Sequence, residues 1–336
     1  NSFIDNSDRE NYLFNSSISG IEESDLILLI GTNPRYEATM VNARIRKAYL
    51  NNNIEVISLN DVGDLTYPYK HLDGKTQTIK DIFENNNELS KKIINSQKPM
   101  IVLGESFLKL KSASYLFYSL KKFLKNNNKF TNEWNPLNLL STDAATVGNF
   151  DLDIVNENEN LINDLKLNKF ELIYLLGQDN LDFNKKNEFI IYQGSHGDKG
   201  AEIADIILPG AAYTEQSAHF TNLEGRIQKA YKASYPPGEA KEDWQIINEL
   251  AELMNNRKLF NDKEELESSM LNFLNLKKEK QNFDSIKMNN QNNFENENLK
   301  IKIKDYYFSN VIARSSKTML DCNNSKHEIK RTGTEG

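Results

Sequence analysis

Residues 26–34 read LILLIGTNP, and this stretch decides the fold. Five consecutive apolar residues closed by turn formers are typical of a strand buried on both faces of a parallel sheet. Asn33 is a preferred helix N-cap and Pro34 fits the first helical position, so a helix is expected over residues 36–50. Residues 54–59 (IEVISL) predict the next strand. The stretch therefore indicates a β-α-β unit, whose crossover is almost always right-handed.

The same pattern of an apolar run followed by glycine recurs along the chain. The later runs are residues 100–103 before Gly104, 172–176 before Gly177, 189–192 before Gly194, and 203–208 before Pro209 and Gly210. A helix is expected over residues 107–125, where apolar and aromatic residues recur at helical spacing. Apolar strands that alternate with helices predict an α/β fold with parallel, Rossmann-like sheets in two lobes.

The character of the chain changes after residue 254. Residues 263–280 predict a charged helix with one narrow apolar face, and the Asn- and Gln-rich residues 281–298 predict a loop. The expected organisation is an α/β domain over 1–254 with lobes at roughly 20–130 and 131–254, a helix and loop over 255–298, and a docking segment and tail over 299–336. Within that last part, the polar residues 323–336 are expected to form a loose tail.

Charge and hydropathy exclude two classes of protein. The 336 residues contain 41 Lys and Arg against 48 Asp and Glu, which gives a net charge of −7. A basic nucleic-acid-binding protein is therefore not expected. No apolar run approaches the roughly 18 residues that cross a bilayer, so direct membrane insertion is not expected either.

The chain has too few cysteines for a metal centre that is held by thiolates. Cys322 is the only cysteine, whereas thiolate-ligated zinc and iron–sulfur sites need several. The four histidines are not paired at ligand spacing, and they are His71, His196, His219 and His327. We expect no metal site and no catalytic residue in this chain.

Two glycine-containing loops lie where an α/β fold binds nucleotides. Gly31, Thr32 and Asn33 join a buried strand to a helix N-terminus, a position that attracts phosphate. The loop is neither a dinucleotide fingerprint nor a Walker A motif, so a purely structural role is favoured. The second loop contains Gly194, Ser195, His196, Gly197 and Asp198. Its Ser, His and Asp are too close in sequence to form a catalytic triad.

Three charged residues stand in otherwise small or apolar surroundings. Glu215, Glu224 and Arg226 could fix a loop by ion pairs or line a ligand site, and the pattern alone does not decide between these roles. Because an unpaired buried charge is costly, we expect all three to be at least half-buried and ion-paired.

Long segments resemble the large iron–sulfur subunit family of respiratory NADH:ubiquinone oxidoreductase, complex I, whose mitochondrial member is the 75-kDa subunit. They include IGTNPRYEATMVNARIRKAYL (30–50), KPMIVLGES (98–106), PPGEAKEDWQIINELAEL (236–253) and IARSSKTMLDC (312–322). The segment at 190–230 also resembles the wider molybdopterin-dependent oxidoreductases, through its LPG…E…FTNLEGR motif. The similarity covers nearly the whole chain in the same order.

The resemblance implies the C-terminal, molybdopterin-oxidoreductase-like part of that subunit. In complex I this part is understood to have lost its cofactor, and the clusters lie in the cysteine-rich N-terminal half. We therefore expect the Gly31–Asn33 and Gly194–Asp198 loops to be vestigial and the chain to hold no cofactor. Its expected role is a scaffold in the peripheral arm, on the matrix side of the mitochondrial inner membrane. The expected partners are the cluster-bearing half and neighbouring subunits, and the chain would be a split-gene product or part of a longer chain.

An alternative follows from the same motif. The chain could be a fragment of an active molybdopterin-binding oxidoreductase, with the dinucleotide held across the two loops. Measurement of molybdenum and pterin content separates the two hypotheses.

Overall fold

The computed structural model describes residues 3, 5–154, 161–181, 184–279, 294–303 and 305–328. The chain forms two compact units. The first unit comprises Asn1–Val155, Phe220–Gln228 and Met270–Ile303, and the second comprises Asn156–His219, Lys229–Ser269 and Lys304–Gly336. This division differs from the expected lobe boundary near residue 130, because residues 137–140 add a strand to the first sheet.

A five-stranded parallel sheet organises the first unit. Its strands are β1 (Leu26–Ile30), β2 (Glu55–Ser58), β3 (Lys70–His71), β4 (Pro99–Gly104) and β5 (Leu137–Leu140). Their order in the sheet is β3-β2-β1-β4-β5, and all four pairings are parallel. The order reverses between β1 and β4, which is the position where doubly wound folds bind ligands.

Helices connect these strands. They are α1 (Pro34–Glu37), α2 (Thr39–Asn52), α3 (Thr76–Phe83), α4 (Glu88–Asn95), α5 (Glu105–Leu108), α6 (Ala113–Asn126) and α7 (Thr146–Asp151), with 3-10 turns at Arg9–Asn11 and Ser19–Glu23. Both faces of the sheet are covered: Leu26, Leu28 and Ile30 of β1 lie in one apolar cluster, and Ile27 and Leu29 lie in another. The continuous apolar run of β1 is thus buried throughout, as its composition predicted.

Two expected helices are each broken into two. The helix expected over 36–50 is interrupted at Ala38, whose φ of −151° and ψ of 71° are not helical. The helix expected over 107–125 divides into α5 and α6, because the chain turns at Leu110, whose N–H donates to the carbonyl of Phe107. Leu110 is buried, so the turn satisfies packing that a straight helix would not.

A three-stranded parallel sheet organises the second unit. Its elements are α8 (Leu161–Lys166), β6 (Leu172–Leu176), β7 (Phe189–Gly194), α9 (Lys199–Ile203) and β8 (Ile206–Pro209). The sheet order is β6-β7-β8. The strand expected over 203–208 begins later than predicted, because residues 199–203 form a helix that Asp198 caps.

The remaining elements are two short paired strands and four helices. They are β9 (Ala218–Thr221), β10 (Ile227–Ala230), α10 (Asp243–Asn255), α11 (Lys263–Glu279), α12 (Val311–Ser315) and α13 (Lys317–Glu328), with a 3-10 turn at Tyr306–Phe308. The predicted charged helix is confirmed as α11. The predicted Asn-rich loop lies outside the described residues up to residue 293. The expected loose tail is wrong for residues 323–328, which continue α13.

Candidate functional site

Two glycine turns meet at the strand-order reversal of the first unit. Gly31 follows β1 with a φ of +71°, a left-handed conformation that favours glycine. A Cβ on Gly31 would lie 2.5 Å from the backbone nitrogen of Phe107, and a Cβ on Gly104 would lie 2.4 Å from the carbonyl oxygen of Gly31. The ends of β1 and β4 therefore pack directly on each other.

A carboxylate accepts hydrogen bonds from the donors of the Gly31 turn. The Glu37 side chain accepts 2.6 Å hydrogen bonds from the Thr32 hydroxyl and from the backbone N–H of Asn33. The side chain of Asn33 caps α1 by accepting from the N–H of Arg35, which confirms the predicted cap. Free N–H groups at such a turn are those that bind phosphate in nucleotide sites. Here a side chain of the chain itself takes that place.

A second carboxylate lies beside the first. Glu105, at the start of α5, accepts a 2.9 Å hydrogen bond from the backbone N–H of Thr142, which follows β5. Burial raises the pKa of Glu37, and the nearby charge of Glu105 raises it further, while the bonds from Thr32 and Asn33 oppose this shift. The ammonium group of Lys109 lies 3.9 Å from Glu105 and also opposes the shift, so this edge of the first sheet holds two carboxylates and a nearby cation.

The Gly194 loop of the second unit follows β7 in the same way. The buried Tyr192 hydroxyl donates to the carbonyl of His196 at 2.8 Å. A Cβ on Gly194 would lie 2.2 Å from that hydroxyl oxygen, so the loop conformation requires glycine. Ser195 and His196 lie 3.0 Å apart through Oγ and Nδ1 on an exposed stretch, and the Asp198 carboxylate binds elsewhere. The structure gives no triad among these loop residues.

An arginine from the C-terminal segment fixes this loop. Arg314 of α12 contacts Asp198 at 2.7 Å through Nε and Asp179 at 2.5 Å through a terminal nitrogen. The hydrogen bond from Arg314 lowers the pKa of Asp198. A cavity of about 250 Å³ lies at these strand ends, and Asn310, Val311 and Ile312 contribute to its wall. The C-terminal segment thus covers the carboxyl edge of the second sheet.

The three predicted ion-pair residues behave differently from the expectation. Glu215 and Glu224 are half-buried, but each accepts from a backbone N–H, of Ala212 at 2.9 Å and of Ile18 at 2.7 Å. Arg226 is exposed, contrary to the expectation that it would be at least half-buried. In the described part of the chain no ion pair joins these three residues. Backbone donors in the loops satisfy the two carboxylates instead.

Sequence reasoning missed the buried ion pair of the first unit. Arg9 binds both carboxylate oxygens of Asp151 at 2.8 Å and also donates to the carbonyl of Gly225 at 2.6 Å. The Tyr12 hydroxyl donates to the same carboxylate at 2.8 Å. This cluster ties the turn of the FTNLEGR motif to the N-terminal segment. Its members are up to 216 residues apart, so no local pattern could have indicated it.

The described residues offer neither a metal-ligand cluster nor a spanning helix. Within those ranges, no three His, Cys, Asp or Glu side chains are grouped so that they could hold a metal ion. None of the helices in that part of the chain is both long and apolar enough to cross a bilayer.

Comparison with known families agrees with this fold. The sequence model of the molybdopterin oxidoreductase family matches residues 2–253. The chain therefore belongs to the molybdopterin oxidoreductase family. A second model, of the C-terminal domain of an NADH-ubiquinone oxidoreductase subunit, matches residues 265–322. That segment includes Arg314.

The individual relatives of this chain are subunits of NADH-ubiquinone or NADH-quinone oxidoreductases. The chain is 39% identical over 329 residues to the NADH-ubiquinone oxidoreductase 75 kDa subunit of Reclinomonas americana, covering 95% of this chain and 48% of the relative. It is 36% identical over 335 residues to the mitochondrial 78 kDa subunit of Neurospora crassa, covering 95% and 44%. It is 34% identical to an NADH-quinone oxidoreductase subunit of Rickettsia bellii, covering 98% and 48%. The chain thus spans about half the length of these relatives.

Proposed function

We propose that this chain is a non-catalytic scaffold in the peripheral arm of complex I. It supports electron transfer from NADH to ubiquinone by holding neighbouring, cluster-bearing parts in place, and it carries no redox centre of its own. The names of the relatives support the assignment to the complex. The names of two relatives are mitochondrial, which supports a mitochondrial location. The matrix side of the inner membrane is the location we propose within the mitochondrion.

The observation that carries this proposal is the position of Glu37. A dinucleotide cofactor at the Gly31 turn would need the Asn33 N–H that this carboxylate already accepts at 2.6 Å. The Gly31 loop therefore suits a self-contained turn better than a cofactor site.

The Gly194 loop supports the same interpretation, but there the side chain that satisfies the loop is a cation and not a carboxylate. Asp179 and Asp198 are already paired with Arg314. A ligand that drew Arg314 away from this loop would leave two carboxylates without their cation. At both loops, side chains of this chain thus already satisfy the charged or hydrogen-bonding groups described above.

One observation favours the alternative, an active molybdopterin-binding fragment. A cavity of about 370 Å³ lies beside the end of β5, and its wall includes Ser141, whose buried hydroxyl has no hydrogen-bond partner among the residues that the structure describes. Buried polar groups are nearly always bonded, so such a hydroxyl is a candidate ligand contact. Together with the family match, it makes cofactor analysis the decisive experiment.

The proposal is tested on membranes of the source organism. A native gel probed for this chain should show it in a megadalton band with NADH dehydrogenase activity, together with a cysteine-rich polypeptide identified by mass spectrometry. The purified complex should contain molybdenum and pterin only in amounts far below one per copy of this chain. Stoichiometric molybdenum or pterin would overturn the scaffold role. Migration in a small particle without NADH dehydrogenase activity would overturn membership of the complex.

A further inference from the structure

The strands of the second sheet have the composition of strands buried on both faces. β6 reads LIYLL, β7 begins FIIY and β8 begins IIL, as apolar as the LILLI of β1. Near-continuous apolar runs are typical of parallel strands with helices on both sides. All five residues of β1 are buried, whereas β6 has one buried residue in five.

One face of this sheet is covered from within the unit. Leu175, Ile190 and Tyr192 form a buried cluster, against which Ala201 and Ile203 of the α9 segment pack. Parallel strands alternate their side chains between two faces, so the neighbouring residues point to the opposite face. The crossover from β7 to β8 contributes nothing to that opposite face, because its helix packs on the first one.

The opposite face is apolar and exposed, and we call it the open sheet face. Its exposed members are Leu172 and Leu176 of β6, Phe189 of β7 and Ile206 of β8, with 58%, 50%, 44% and 44% of their surface accessible. The register places Leu172 beside Phe189, and Ile206 beside the half-buried Ile191, so these apolar residues form one patch. Leu176 lies beside Gln193, which is buried and whose side chain donates to Asp243 of α10. Four large side chains that are each about half exposed present roughly 400 Å² of apolar surface. A patch of this size is comparable to the largest that a typical monomer exposes, and such patches are often functional.

We propose that an α-helix of another polypeptide in the same assembly packs across the open sheet face. The inference rests on the proposed function, because a scaffold in a multisubunit arm has such neighbours. Three strands span about 10 Å across, and five residues run about 17 Å along the sheet. A helix is about 10 Å in diameter and rises about 1.5 Å per residue, so about eleven residues cover this footprint.

A second copy of this chain fits the face less well. Stable dimers bury about 800 Å² on each partner, roughly twice what the open sheet face offers. If two copies packed their open sheet faces against each other, neither sheet would have helices on that face, whereas parallel sheets usually have helices on both faces. The chemistry of the occupant is therefore an amphipathic helix with apolar residues at i, i+3 or i+4, and i+7.

The first test is hydroxyl-radical footprinting of the intact complex in detergent. Oxidation rates of Leu172, Phe189 and Ile206 are divided by the intrinsic rate of each amino acid. We expect rates at least fivefold below those that their exposure in this chain implies. Rates that match the exposure overturn the inference, and they leave the proposed function standing as long as the chain remains in the megadalton band.

The second test identifies the occupant. A photoactivatable diazirine reagent is anchored to the exposed Lys186, three residues before Phe189. Cross-linked peptides should map to a helical, amphipathic segment of a different polypeptide. Peptides that map to a second copy of this chain, or to a segment without helical apolar spacing, overturn the inference.

A matched pair of variants tests the energetic role of the face. Leu172→Ser with Phe189→Ser should lower the fraction of chain in the megadalton band at least fivefold. Leu253→Ser with Tyr231→Ser removes side chains that are 82% and 78% exposed elsewhere in the unit, and it should change that fraction less than twofold. Circular dichroism of the purified variants should match the parent chain, since the replaced side chains are already half exposed. Normal assembly of the first variant overturns the inference.

Discussion

Replacement of Arg314 by alanine should release the C-terminal segment from the Gly194 loop. The guanidinium holds Asp179 and Asp198 together with α12, and these contacts lie within the second unit. Alanine removes the shared cation and leaves two carboxylates close to each other. The segment that contains α12 and α13 then loses its main polar attachment.

The structure sets the size of the effect. A hydrogen bond to a charged group contributes about 1.5–3 kcal/mol when it is buried, whereas an exposed ion pair contributes about 0–1 kcal/mol. The side chains of Arg314, Asp179 and Asp198 are 19%, 17% and 22% exposed, which lies between these limits. We expect a loss of about 1.5 kcal/mol, which shifts the ratio of docked to released segment roughly tenfold.

A label on Cys322 reports the release. This residue is the only cysteine of the chain, is exposed, and lies in α13. The anisotropy of a fluorophore on it should fall in R314A, and amide exchange over residues 305–325 should accelerate. Arg314→Lys should give an intermediate result, since lysine keeps the charge but not the two-pronged geometry. Arg226→Ala is the control for loss of an exposed arginine. Unchanged anisotropy and exchange in R314A would refute the reasoning.

Three further predictions concern the first unit. Arg9→Met should lower the free energy of unfolding by about 3–5 kcal/mol, measured by urea denaturation, because it leaves the buried Asp151 charge without its partner; a loss below about 1 kcal/mol would contradict this. Burial raises the pKa of Glu37 above its ordinary value of 4.5, so the folded state binds that proton more tightly and stability falls as the pH rises through the folded pKa. The unfolding free energy of the parent minus that of E37Q should therefore decrease from pH 4 to pH 7. A difference that does not change with pH would show that burial does not raise the pKa of Glu37. Gly104→Ala should cost more than about 2 kcal/mol by thermal denaturation because its Cβ would meet a backbone oxygen at 2.4 Å. The control, Gly197→Ala, should change stability by less than about 0.5 kcal/mol, because its Cβ would meet none of the described residues within 4 Å.

The strands with continuous apolar runs could be predicted from sequence. β1, β4 and β6 lie where their runs and closing glycines indicate them, because four or five consecutive apolar residues leave few other solutions in water. β3 could not be predicted, because its two residues, Lys70 and His71, are polar and exposed at the sheet edge. Only the pairing with β2, a tertiary contact, makes them a strand.

The candidate loops could be located from sequence, but their contents could not. The Asn33 cap and the glycine at residue 31 are local signals: Asn33 forms the predicted cap, and Gly31 closes β1 in a left-handed conformation. The contact of Glu37 with its own turn is also local, yet a glutamate four residues after a cap has many other conformations available. The pairing of Arg314 with Asp179 spans 135 residues, so no spacing rule could indicate it.

The two loops satisfy the ends of parallel strands with opposite charges. At the Gly31 turn the available groups are N–H and hydroxyl donors, and the Glu37 carboxylate accepts from them. At the Gly194 loop the available groups are carboxylates, and Arg314 neutralises them. Neither loop needs a ligand to complete the hydrogen bonds described above. Within the described residues of the second unit, what is missing is a helix over the open sheet face. The dependence of this domain on its assembly should therefore arise at that apolar face and not at the loops.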